Sequence, residues 1–185
     1  MKKKYVLLLL IVCTFTCIQY GYGYSDTSLY QISALLEEQN GKKIPFEHFS
    51  KKPVIISMFY SSCQYSCPLL IQNIKSIENK MSKQARKHIQ FLLVSFDPER
   101  DNQQKLKEIM KKHHLSESHW TLARTSHDKI REIANVLGFS YRKLDNGDYN
   151  HSFIISLLNK EGELVIQSEG LKNSTAFIKK IHEMN

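Results

Sequence analysis

The run Val54-Ile-Ile-Ser-Met-Phe-Tyr60 is apolar and β-branched almost without a break, and a pair of cysteines, Cys63 and Cys67, follows within seven residues of its end. A strand without polar alternation is buried on both faces, as in a parallel sheet. From Pro68 the periodicity changes, because Leu70, Ile71, Ile74 and Ile77 recur at helical spacing to about Met81. A second buried run, Ile89 to Phe96, comes next. Strand, helix and strand in that order predict a β-α-β unit, and with it an α/β fold whose sheet is covered by helices.

Upstream of this unit, Leu29 to Glu38 is readable as strand or as helix, and Asn40-Gly41 after it signals a turn. Downstream, Asp101 stands where an N-cap is expected with Gln104 at the capping-box position, which predicts a helix from Asn102 to about His113 on the stripe Leu106, Ile109, Met110. Another helix is predicted from Ser126, with Ile130, Ile133, Ala134 and Leu137 inward and Gly138 ending it. After the turn Asp145-Asn-Gly147, Ser152 to Leu158 and Glu163 to Ser168 flank Lys160-Glu-Gly162 as a hairpin, and a helix from Ser174 to His182 follows. This order is that of a thioredoxin-like sandwich: a central mixed sheet flanked by helices, with a C-terminal β-hairpin and helix. With 185 residues, 42% of them apolar, one core suffices, and neither a disordered nor a repeat class fits.

The first 23 residues belong to a different kind of segment. Met1-Lys-Lys-Lys4 is basic, and Tyr5 to Ile18 carries no charge. Fourteen residues span only ~21 Å as a helix, short of the ~30 Å hydrocarbon core, and Gly21-Tyr-Gly23 supplies a small-x-small end. A secretory signal at 1–23, cleaved after Gly23, is the favoured reading, with a domain at 24–185. An uncleaved anchor is the alternative. A lipid on Cys17 fits less well, since Thr14-Phe15-Thr16 lacks the aliphatic residue usual three places before such a cysteine. The predicted location is outside the cytoplasm, in a periplasm or at the outer face of the cytoplasmic membrane.

Cleavage removes Cys13 and Cys17, so the mature chain keeps only Cys63 and Cys67. A disulfide between residues four apart closes too small a loop to stabilise a fold much. The start of a helix lowers a thiol's pKa through its dipole and its free N–H groups, so this junction suits nucleophilic or metal-binding thiolates. A metal site needs a third donor, and His151, at the start of the first hairpin strand, is the best candidate. Two sulfurs and an imidazole suit trigonal Cu(I), can hold Cu(II) if an oxygen is added, and could hold zinc with an open position. His48, His88, His113, His114, His119, His127 and His182 fall in predicted turns, helix ends or exposed faces.

The net charge of +8 falls to +5 without the three n-region lysines. Its densest group, Lys83, Arg86, Lys87 and His88, sits in a predicted helix-to-strand turn without interleaved aromatics, which points away from nucleic acid. In Asp97-Pro-Glu-Arg-Asp101, Pro98 ends the strand, and Arg100 stands among three acids that can lock the turn.

Three blocks together, Cys63-Gln-Tyr-Ser-Cys67-Pro68, Val94-Ser-Phe-Asp-Pro-Glu-Arg-Asp101 and Asp148-Tyr-Asn-His151-Ser152, resemble the signature of the Sco/SenC family of thioredoxin-like copper chaperones. The resemblance spans about residue 39 to the C-terminus. It implies Cys63, Cys67 and His151 as copper ligands, and delivery of copper to the copper-bearing subunit of cytochrome c oxidase or to another copper protein. It also implies a copper donor protein and proximity to a membrane. The alternative function is a thiol-disulfide oxidoreductase that uses Cys63 and Cys67 to reduce the acceptor's cysteines. The chain departs from the family at Gln64-Tyr65-Ser66, where Pro-Asp-Val is usual, and at Asn150, where an Asp is common. Two fewer acids near the metal should favour Cu(I) over Cu(II).

Overall fold

The computed structural model describes residues 24–169 and 174–184. Its strands are β1 (Leu35–Glu38), β2 (Lys43–Pro45), β3 (Val54–Phe59), β4 (Gln90–Ser95), β5 (Trp120–Arg124), β6 (Tyr141–Lys143), β7 (Tyr149–His151), β8 (Ile154–Leu158) and β9 (Leu164–Glu169). The α-helices are α1 (Ser66–Lys80), α2 (Lys83–Lys87), α3 (Gln103–Lys112), α4 (His127–Val136) and α5 (Ser174–Glu183). Seven strands form one mixed sheet in the order β2-β1-β5-β4-β3-β8-β9, parallel across β5-β4-β3 and antiparallel at both flanks. This is the thioredoxin-like sandwich that the order of elements suggested.

Burial explains the strand sequences. Every residue of β3 and of β8 is buried, and β4 is buried beyond Gln90, which is why none of them alternates. Leu70, Ile71, Ile74 and Ile77 carry the inward face of α1, and Met81 and Met110 pack in the core as their stripes implied. At the edge of the sheet, Gly162 takes φ +82° in the β8-β9 turn, where a Cβ would come 2.6 Å from the Tyr30 ring. Only glycine allows the N-terminal segment to close so tightly over this turn.

Several elements differ from the sequence reading. The segment between α3 and α4 contains β5, a five-residue strand whose pairing with β4 and β1 makes it part of the sheet. Lys83–Lys87 is a short helix rather than a turn, because the Ser82 hydroxyl accepts the Ala85 N–H (3.1 Å). Around the Asp145-Asn-Gly147 turn, β6 and β7 pair as a separate two-stranded hairpin. Leu29–Gln31 is a 3-10 turn and Leu35–Glu38 is strand, so the strand reading holds for the last four residues of that stretch and no α-helix forms there. The cap of α3 is Asn102, whose side chain accepts the Lys105 N–H (3.0 Å), and not Asp101. Gln104 reaches forward to Glu108 instead of back to the cap.

Candidate metal centre

β3 ends at Phe59, and the chain turns until the Cys63 N–H meets the Tyr60 carbonyl (3.4 Å). α1 then opens at Ser66, two residues ahead of the proline from which the sequence started it. Pro68 is tolerated there because the first N–H groups of a helix have no helical partner. Cys67 therefore lies inside the first turn, and its N–H donates to Cys63 Sγ (3.2 Å). The Ser66 hydroxyl stands 3.0 Å from the same sulfur. Both thiols are free, Cys63 half-buried and Cys67 buried.

These contacts drive the two sulfurs apart in acidity. The hydrogen bond from the Cys67 thiol does most to bring Cys63 down to about 3, burial opposes it, and the Ser66 hydroxyl and the N–H groups of Cys67 and Tyr65 add to it. Cys67 moves well above the ordinary range, because its S–H donates a hydrogen bond to Cys63 and burial further holds the proton on it. The pair is thus a half-exposed thiolate beside a buried thiol.

His151 ends β7, and so belongs to the small hairpin rather than to the start of β8. Its ring lies among Phe96, Phe139 and Tyr60, with centroids at 5.3, 6.0 and 5.6 Å. Nδ1 is 2.8 Å from the Ser152 carbonyl. A carbonyl only accepts, so Nδ1 carries the proton and the neutral ring keeps its lone pair on Nε2. Nε2 in turn lies 3.0 Å from Ser66 Oγ. One ligand atom each from Cys63, Cys67 and His151 falls within 4.8 Å of the other two. Donors about 2.0–2.3 Å from one ion stand ~3.5–4 Å apart, so closure on a metal takes no more than about 1 Å at any edge. The set fits a soft ion, and the backbone carbonyl that orients the imidazole is the usual support for such a ligand.

The Asp97–Asp101 segment frames the loop. Asp101 is fully buried, and its carboxylate accepts the Ser61 N–H (3.1 and 2.9 Å) and the Ser95 hydroxyl (2.5 Å). That inward pull is why it does not cap α3. Burial raises its pKa against the lowering effect of these bonds. Arg100 pairs with Asp97 alone, while Glu99 faces His127 (3.5 Å) and Lys143 (3.9 Å), so one acid of the three locks the turn. The guanidinium lies 5.8 and 5.4 Å from the ring centroids of Tyr60 and Tyr149. The Tyr60 hydroxyl donates to Asp148; burial and this bond raise the phenol, and the same bond lowers Asp148. Sequence reasoning missed Ser66, Tyr60 and Asp148 as parts of this site, although all three lie in or beside the blocks it singled out.

The SCO1/SenC family profile matches residues 26–185. The chain belongs to this family. No curated protein matches it. Among solved structures it is similar to a SCO1/SenC family lipoprotein from Bacillus anthracis, with 23% identity over 81% of this chain and 91% of that one and a TM-score of 0.73. ScoI from Bradyrhizobium japonicum, solved with copper bound, shows 22% identity over 82% and 97% of the two chains, TM-score 0.68. BsSco, described with a disulfide switch as a member of the Sco family of cytochrome c oxidase assembly proteins, shows 19% identity over 83% and 92%, TM-score 0.71. These likenesses agree with the Sco fold. Among the described residues no helix is long and apolar enough to cross a membrane, and the signal proposed at 1–23 lies outside them.

Proposed function

We propose that this chain is an exported copper-binding chaperone that takes copper between Cys63, Cys67 and His151 and passes it by ligand exchange to the copper centre of cytochrome c oxidase. The observation that carries the reading is the convergence of the two sulfurs and the imidazole within 4.8 Å at the end of β3. The copper in the Bradyrhizobium structure supports the choice of metal, and the description of BsSco supports the acceptor. Two thiolates and one imidazole satisfy Cu(I) without a fourth ligand. The half-exposed Cys63 offers the sulfur that an incoming ligand of the acceptor can reach first. In this reading residues 1–23 direct export and 24–185 form the copper-carrying domain, at the outer face of a membrane.

Copper binding by the reduced protein tests it. One Cu(I) should bind per chain, Cys63→Ala or Cys67→Ala should abolish binding, and His151→Ala should weaken Cu(II) more than Cu(I), since the dithiolate alone can keep Cu(I). Equal affinities for the wild type and His151→Ala in both oxidation states would remove His151 from the site.

A second reading rests on the split acidity of the pair. The Cys63 thiolate could attack an acceptor disulfide and release one acceptor thiolate. Cys67, giving up its proton, would then attack Cys63 Sγ, release the second, and leave the acceptor reduced by two electrons and this chain oxidised. That chemistry needs both sulfurs and not His151. Cells carrying His151→Ala should therefore lose oxidase copper assembly and regain part of it with excess copper if the chaperone reading holds. Normal assembly at limiting copper, with failure of either cysteine variant, would give the reductase reading its place.

A further inference from the structure

Ser66 Oγ lies 3.0 Å from Cys63 Sγ and 3.0 Å from His151 Nε2, so the hydroxyl sits between two of the three donors. The hydroxyl carries one proton, so it donates to Cys63 Sγ or to the lone pair on His151 Nε2, one at a time. The same spacing has a meaning for coordination, because four donors about 2.0–2.3 Å from one ion in a square plane have neighbours ~2.8–3.3 Å apart and opposite members ~4.0–4.6 Å apart. Ser66 Oγ meets the neighbour distance to both Cys63 and His151. In that plane Cys63 and His151 would stand opposite each other, and their ligand atoms lie within 4.8 Å of one another.

Cu(II), unlike Cu(I), takes a tetragonal shell and favours nitrogen and oxygen donors. No carboxylate joins the three-residue group among the described residues, and Gln64 and Tyr65, the other residues between the cysteines, are exposed. Ser66 is fixed at the first position of α1, between a sulfur and an imidazole that are both held in place. We propose that the Ser66 hydroxyl is the fourth, oxygen donor of this site when it holds Cu(II), and that it leaves the shell when the site holds Cu(I). The inference rests on the copper reading above. It makes Ser66 a residue that sets preference between oxidation states: a neutral oxygen in place of acidic neighbours, strong enough to complete Cu(II) and weak enough to release on reduction.

The test is electron paramagnetic resonance of the full chain, reduced and loaded without air with one equivalent of Cu(II), in water enriched in oxygen-17. The wild type should show no broadening from the labelled solvent, since its oxygen donor comes from the protein. In Ser66→Ala water should take the vacant position, giving oxygen-17 broadening and about a tenfold loss of Cu(II) affinity against a competing chelator, with Cu(I) affinity within twofold of wild type. Ser66→Thr, which keeps a hydroxyl, should restore the unbroadened signal. Broadening in the wild type, or the same Cu(II) signal and affinity in Ser66→Ala, would overturn the inference. So would loss of both oxidation states from Ser66→Ala, which would make the side chain a support of the loop and not a donor. A wild type that binds Cu(I) and gives no Cu(II) signal defeats this inference alone, whereas one that takes up neither ion defeats the copper reading as well.

Discussion

The reactivity of Cys63 should depend on pH in a way that an ordinary thiol cannot imitate. Its pKa is brought down to about 3, chiefly by the Cys67 thiol, so in the reduced protein it is a thiolate from mildly acidic pH upward. A free thiol with a pKa of about 8.5 is only ~3% thiolate at pH 7. Ionisation alone would make Cys63 about 30-fold faster there. Intrinsic nucleophilicity falls with pKa, however, by a Brønsted slope of about 0.4–0.5. Over ~5.5 units that costs about 150- to 600-fold, so at pH 7 Cys63 should attack a disulfide roughly 5- to 20-fold more slowly than a free thiol. At pH 5 the free thiol is ~0.03% ionised, and the order reverses by about the same factor.

The two profiles should therefore cross at about pH 6. The assay is stopped-flow reaction of the reduced chain with a small aromatic disulfide from pH 4 to 8, with the modified cysteine located by mass. Cys67→Ala removes the largest donor and should restore pH dependence to Cys63, and Ser66→Ala should do so to a smaller degree. A wild-type rate that climbs tenfold per pH unit from 5 to 8 would refute the reasoning. Stability follows with a definite sign. Cys63 ionises more readily folded than unfolded, so its contribution is present above the unfolded value and is lost as pH falls towards about 3. Solvent reaches this half-exposed sulfur, and screening keeps that contribution below its full value.

Further outcomes follow from the fold and from the proposed signal. Asp101→Ala strands the Ser61 N–H and the Ser95 hydroxyl, and should cost about 3 kcal/mol in urea unfolding. Burial raises the Asp101 pKa, so its ionisation makes stability fall as pH rises from the unfolded value through the folded one, and Asp101→Asn should remove that slope. Gly162→Ala meets the Tyr30 ring at 2.6 Å, whereas Gly147→Ala, at the same φ of +82°, meets nothing within 4 Å; the first should cost at least ~1 kcal/mol more than the second. Equal melting temperatures for the two would contradict the close packing seen at Tyr30. Exported protein should begin at Tyr24 and be extractable without detergent, as N-terminal mass can show; a retained Met1 or a lipid on Cys17 would overturn cleavage.

How legible an element was in the sequence depended on where its stabilising contacts lie. The unbroken apolar runs of β3 and β4 and the stripe of α1 declare themselves because burial on both faces, or on one helical face, leaves a local pattern. β5 leaves none. Trp-Thr-Leu-Ala-Arg is too short for periodicity, and its extended form comes from β4 on one side and β1 on the other, which no local window contains. The same holds for β6 and β7, three residues each, which exist because they pair with one another across the Asn146-Gly147 turn.

For the site the distinction runs between ligands and their supports. Cys63 and Cys67 are conspicuous by type and spacing, and His151 by its place before β8, so the donors could be named before their distances were known. The supports are ordinary residues whose function is a matter of direction. Asp101 looks like a helix cap in sequence, since an acid one residue before the start of a helix usually is one. It turns inward because Ser61 N–H and Ser95 offer a buried carboxylate better partners than a helix end in solvent does. Ser66 looks like filler between two cysteines, yet the early start of α1 places its hydroxyl between Cys63 Sγ and His151 Nε2. Had the helix begun at Pro68, neither that placement nor the Cys67 N–H bond to Cys63 would follow from the helix geometry. The chemistry of the pair thus turns on two residues of helix that Pro68 conceals in the sequence.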